Sequence, residues 1–118
     1  MVKITFFILL VSFLVSCHAP VKNYLLVTAV AGVDVDKGTS GYCANFYLTK
    51  KQAQQYFLEA KAVSIETIHD DYEVLPCFVY GYGELKNEQC QWQIRAGGTG
   101  HVNCANDSFL TGCKNCLP

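Results

Sequence analysis

The 118-residue chain has no run of like charges, no basic patch, no internal repeat and no low-complexity segment. Charged residues make up only 16% of it, so the electrostatic footprint that nucleic-acid binding requires is missing. Its longest predominantly apolar run, Ile4–Val15, has twelve residues, Thr5 and Ser12 among them. A membrane-spanning helix needs about twenty. The three histidines, His18, His69 and His101, stand far apart in the chain, and no Ser–His–Asp or Cys–His arrangement emerges. His101 is a base with no evident nucleophile, so the sequence nominates no catalytic residues.

What is present begins with that apolar run. It follows Met1–Lys3, which carries one positive charge, and it is broken by Cys17, His18, Ala19 and Pro20. This is the layout of an export signal. Leu14-Val15-Ser16-Cys17, directly after the run, resembles the lipobox of bacterial lipoproteins. The resemblance covers only about the first seventeen residues. It implies a signal peptide over 1–16, lipidation of Cys17 with diacylglycerol, and one exported domain over 17–118. Two or more acyl chains hold a protein firmly to a bilayer where one does not. In that family an Asp after the Cys retains the protein at the inner membrane. Position 18 is His, which implies the periplasmic face of the outer membrane. Cleavage after Ala19 is the rival reading and would give a soluble periplasmic or secreted protein; a secreted eukaryotic cysteine-rich protein also fits.

Seven cysteines are awkward for an exported chain. Setting Cys17 aside leaves six: Cys43, Cys77, Cys90, Cys104, Cys113 and Cys116. An even number outside the cytoplasm points to as many as three disulfides, worth roughly 2–4 kcal/mol each. A hairpin turning at Gly97 and Gly98 sets Cys90 opposite Cys104. Cys43 and Cys77 are then expected to pair with Cys113 and Cys116, in an order that spacing leaves open. Cys113-Lys114-Asn115-Cys116 is a CxxC. Redox enzymes place the first such Cys at a helix N-terminus, and here the sequence shows no helix after it. Thirteen residues between Cys90 and Cys104, and eight between Cys104 and Cys113, do not match paired zinc-ligand spacing. No metal or cofactor is expected.

Along the exported region, Tyr24–Val33 reads as a buried strand and Asp34–Gly41 as a polar loop. Asp34-x-Asp36 lacks the further acidic ligands of a calcium loop. Cys43–Leu48 is a short strand or lead-in. Thr49 with Gln52 forms a capping box, and Ala53, Tyr56, Phe57 and Ala60 make one apolar helix face. A second short helix starts at Ser64 and ends near Tyr72, with Ile65 and Ile68 facing inward. His69-Asp70-Asp71 point in different directions around it and form a solvated end. Phe78–Leu85 is a strand with Tyr80 and Tyr82 on one face and two glycines marking a bend or close backbone approach. After the turn Lys86–Glu88, Gln89–Arg95 alternates cleanly, with Cys90, Trp92 and Ile94 on one side and the three glutamines and Arg95 on the other. His101–Cys104 and Ser108–Leu110 are two further strands.

Helices set apart from a run of strands predict an α+β domain, a small disulfide-linked antiparallel sheet of three to five strands packed on one or two helices. The apolar helix face is expected against Trp92 and Ile94. The run Arg95–His101, whose loop Ala96–Gly100 contains Gly97, Gly98 and Thr99, is the most unusual local stretch. It is either a plain hairpin turn or a recognition loop with Arg95 and His101 at its ends. Tyr80 and Tyr82 are binding candidates beside it. The mature net charge is −2. The composite expectation is a lipid-anchored envelope protein with a protein partner and a non-catalytic binding or inhibitory role, for example immunity to a periplasmic toxin. A thiol–disulfide protein using Cys113 and Cys116, or a structural accessory of an envelope assembly, are the alternatives.

Overall fold

The computed structural model describes residues 23–38, 43 and 45–118. The expected signal peptide and lipobox, Cys17 included, lie outside them. The fold is α+β: one six-stranded antiparallel sheet with two helices. The elements are β1 (Leu26–Val35), α1 (Lys50–Glu59), β2 (Lys61–Val63), α2 (Ile65–Asp71), β3 (Cys77–Leu85), β4 (Glu88–Arg95), β5 (Thr99–Cys104) and β6 (Ser108–Gly112). The spatial order is β1-β3-β4-β5-β6-β2, so a four-strand meander is flanked by the two strands that precede it in the chain.

Helix α1 forms as its sequence dictates. The Thr49 hydroxyl accepts the Gln52 N–H at 3.1 Å, and the Gln52 side-chain oxygen accepts the Thr49 N–H at 2.9 Å. Two donors of the first turn are thereby satisfied by side chains. Ala53, Tyr56 and Phe57 are buried against the sheet. Phe57 meets the indole of Trp92 edge-on, with ring centroids 5.7 Å apart. The Trp92 N–H, which cannot be left unpaired in a core, donates to the Tyr82 carbonyl at 2.8 Å. Around this contact lie Leu25, Val27, Leu48, Val79, Leu85, Ile94 and Val102.

Room for Trp92 is made by Gly81 on the neighbouring strand. A Cβ there would run into the Ala29 carbonyl and come within 2.6 Å of the Trp92 ring. The β3–β4 hairpin closes in two residues, Lys86 (φ 51°) and Asn87 (φ 65°). Both are left-handed, as a type I′ turn matched to strand twist requires. The β4–β5 hairpin closes through Ala96, Gly97 and Gly98. The Gly98 N–H bonds the Arg95 carbonyl at 3.0 Å, and Gly98 takes the positive φ (95°).

Several details depart from the sequence expectation. β1 is an edge strand running on to Val35, with only Val27 fully buried along it. Its apolar residues reflect pairing with β3 on one side rather than burial on both faces. Ile65 is 61% exposed, and only Ile68 of α2 is buried, because a two-turn helix offers the core little more than one residue. The sheet exceeds five strands because Lys61–Val63, three residues directly after α1, pair with β6. That segment is too short to show a period. Of the expected strand or lead-in Cys43–Leu48, the described residues 43 and 45–48 are turn and lead-in and not strand.

The disulfides are Cys43–Cys77, Cys90–Cys104 and Cys113–Cys116. Cys90 and Cys104 stand directly opposite in the β4–β5 register, with Cα atoms 4.2 Å apart, as the hairpin predicts. The tail cysteines pair with each other and not with Cys43 and Cys77. β6 ends at Gly112, the Cys113 N–H bonds the Gly98 carbonyl, and Lys114-Asn115 turn the chain back on itself. Cys77, wholly buried at the start of β3, is met instead by Cys43. Three disulfides point to an oxidising environment outside the cytoplasm. Among the described residues, no helix is long and apolar enough to cross a membrane.

Candidate functional site

The sheet has one face under α1 and one face open. Strand alternation decides what the open face carries. On β3 the residues pointing away from the helix are Phe78, Tyr80, Tyr82 and Glu84; on β4 they are Gln89, Gln91, Gln93 and Arg95; on β5, His101 and Asn103. Register aligns them in rows. Tyr80, Gln93 and His101 form one row, Tyr82, Gln91 and Asn103 the next, and Asp34, Phe78 and Arg95 a third at the end. All of these row residues except Arg95 line a trough of about 360 Å³, at the lower end of the range for ligand pockets.

Tyr80 is 38% and Tyr82 50% exposed. The Tyr80 ring does not stand up from the sheet. Its hydroxyl and two ring carbons lie 3.0–3.4 Å from where a Cβ of Gly32 would be. The ring therefore lies across β1, filling the space that glycine leaves, and turns a flank to solvent.

Charged groups at the rim are mostly answered internally. Arg95 forks onto Asp36, with N–O distances of 2.9 and 3.2 Å, donates to the Leu75 carbonyl at 2.9 Å, and lies 5.0 Å above the Phe78 ring. A planar guanidinium satisfied in this way is a structural clamp joining the end of β1 to β4. Gln89 donates to Glu84 at 2.7 Å. His101 and Ser108 share a hydrogen bond of 2.8 Å. By contrast, no hydrogen bond joins the side chains of Tyr80, Tyr82, Gln91, Gln93 and Asn103 to other described residues.

The sequence-nominated residues separate into two groups. Arg95, His101, Tyr80 and Tyr82 share the open face. Gly98 and Thr99 belong to the interior, and Gly97, half-buried, is packed against backbone. A Cβ on Gly97 would strike the Glu73 carbonyl and one on Gly98 the Cys113 carbonyl, while Thr99 is 4% exposed. The Tyr56 hydroxyl donates to the Gly98 carbonyl at 2.9 Å and bonds the Thr111 hydroxyl at 3.0 Å. Burial pushes the Tyr56 phenol up to about 12. The glycine run is thus a turn bolted to the core.

Gln91, Gln93, Asn103 and Asp34 were not singled out as site residues from sequence, although the glutamine alternation placed two of them on the outer face. Ser108 was missed because His101 meets it only through strand pairing. Among the described residues, donors that converge as a metal set are Glu59 with Cys113 and Cys116. Both sulfurs are spent in a disulfide, so they are not thiolate ligands. His69 pairs with the adjacent Asp70 at 3.0 Å on an exposed helix end.

Compared with protein-family models, characterised proteins and solved structures, the chain has no match.

Proposed function

We propose that this is a small cell-envelope protein with a non-catalytic binding or inhibitory role, lipid-anchored at Cys17 on the periplasmic face of the outer membrane. Its partner is a protein, which docks on the open face of the sheet. An immunity protein to a periplasmic toxin is the concrete form of this role. The observation that carries the reading is the trough: two exposed tyrosines and three unspent amides on a rigid, disulfide-braced sheet. Tyrosine with adaptable amides is the composition of protein-recognition surfaces, because rigid rings supply contact area and amides supply hydrogen bonds at small entropic cost. Binding residues held on strands need little reorganisation on docking.

The anchor reading is supported by the lipobox pattern and by the even cysteine count once Cys17 is set apart. The test of the binding reading is a photo-crosslinking residue installed at position 91 in the native host, with position 66 on α2 as the control. One envelope protein crosslinked from 91 and not from 66 is expected. No product from 91, or the same product from both, overturns the reading.

The alternative reading is a thiol–disulfide exchange protein using Cys113 and Cys116, which form a disulfide with each other. It requires insulin reduction by the reduced protein that is lost in Cys113→Ser. An accessory role in an envelope assembly requires stable copurification with a large complex.

A further inference from the structure

The geometry points to a cation, the guanidinium of an arginine on the partner protein, as the group the trough receives. This inference rests on the open face being the docking surface and adds the chemistry of what enters it.

The argument begins with charge. The end row of the trough holds Asp34, and Arg95 at the same end is forked onto Asp36. That end therefore has two carboxylates to one guanidinium. Asp34 accepts the Val35 N–H at 2.8 Å through one oxygen. Among the described residues, no Lys, Arg or His nitrogen bonds its carboxylate. An exposed carboxylate would be unremarkable alone.

What distinguishes this one is its neighbour. Gly32 precedes Asp34 by two residues on β1 and pairs with Tyr80, whose ring lies over it. Residues i and i+2 on a strand share a face about 6.6 Å apart. A cation seated on the outer flank of the Tyr80 ring is therefore within reach of the Asp34 carboxylate. Ring and carboxylate together are what a planar cation wants. The guanidinium stacks on the π face while its in-plane N–H groups bond an oxygen anion.

The remaining N–H donors have an acceptor at hand in the side-chain carbonyl oxygen of Gln93, which pairs with Tyr80 across β3 and β4 and lines the same trough. An anionic group finds no free cation among these lining residues. The mature chain's net charge of −2 steers in the same direction, toward a basic partner.

The experiment uses the full-length product with disulfides intact and follows backbone amide NMR shifts on titration. The probes are Nα-acetyl-arginine amide, its neutral isostere Nα-acetyl-citrulline amide, and maltotriose. Saturable shifts at Asp34, Tyr80 and Tyr82 with the arginine probe are expected, with affinity at least tenfold weaker for citrulline. Asp34→Asn, which keeps an acceptor for Val35 and the fold, should weaken the arginine probe at least fivefold at an unchanged melting temperature. Equal binding of arginine and citrulline overturns the inference. So does an unaffected Asp34→Asn variant, or a response to maltotriose alone, which would mark a saccharide site. A partner crosslinked from position 91 with no response to the arginine probe would overturn this inference and leave the docking surface standing. An arginine response with no crosslinked partner would overturn the docking surface, and with it the partner's arginine as the occupant, and leave the trough a site for a free guanidinium.

Discussion

The hydroxyl of Tyr56, on the helix, donates to the carbonyl of Gly98, at the tip of the β4–β5 hairpin, across 42 residues of sequence and 2.9 Å of space. The same carbonyl accepts the Cys113 N–H at 3.0 Å. One oxygen thus joins helix, hairpin and tail, and holds β4 and β5, which carry half the trough, against the core.

Tyr56→Phe should cost about 1–2 kcal/mol, the worth of a buried hydrogen bond whose Thr111 partner is left short. Thermal or urea denaturation measures it; a loss under a few tenths of a kcal/mol would show the bond to be incidental.

The pH dependence follows with its sign. Burial raises the Tyr56 phenol from its ordinary 10.0 to about 12 in the folded protein, an effect the Thr111 bond partly offsets. The unfolded chain ionises first. This contribution to stability is whole below pH 10 and is lost as pH rises toward 12. Urea midpoints should fall over that window, and the fall should be smaller in Tyr56→Phe.

The three disulfides should differ in weight according to the loops they close. Sequence separations of 34, 14 and 3 correspond to about 4, 3 and 1.5 kcal/mol in the loop-entropy account. Paired Cys→Ser variants should therefore lose stability in the order Cys43–Cys77, Cys90–Cys104, Cys113–Cys116. Any other order would mean that native packing, not chain entropy, sets the values.

Gly81→Ala should be among the most damaging single methyl additions, because the Cβ meets the Ala29 carbonyl and the Trp92 ring together. A loss of about 2–3 kcal/mol is expected from overpacking, with β1 amides losing hydrogen-exchange protection first. Tyr82→Ala, at a half-exposed site, should change stability by less than about 1 kcal/mol while reducing partner capture at the open face.

An intact mass from the native host, with alkylation before and after reduction, bears on both ends of the chain. A lipid-bearing Cys17 and six cysteines alkylated only after reduction are expected. A lipid-free mass beginning near Pro20 would make the protein soluble.

Local chemistry is what the sequence by itself determined. The capping box at Thr49, the alternation from Gln89 to Arg95 and the pairing of Cys90 with Cys104 each depend on residues within about fifteen positions, and each stands in the structure; the turn expected over Lys86–Glu88 closes in Lys86-Asn87, with Glu88 already opening β4. The α+β class follows, because an apolar helix stripe and a one-sided sheet must cover each other. Tertiary structure alone decided what depends on long-range pairing. β2 exists because β6 offers it an edge. Cys43 finds Cys77, and the tail cysteines find each other, because chain paths and not spacing bring sulfurs together. The glycine run was the most conspicuous local feature, yet it turned inward, because Tyr56 on a distant helix binds its carbonyl. Asp34 joined Tyr80 on the open face because β1 pairs antiparallel with β3 at the sheet edge, and strand register, which no single segment encodes, put a carboxylate beside a ring.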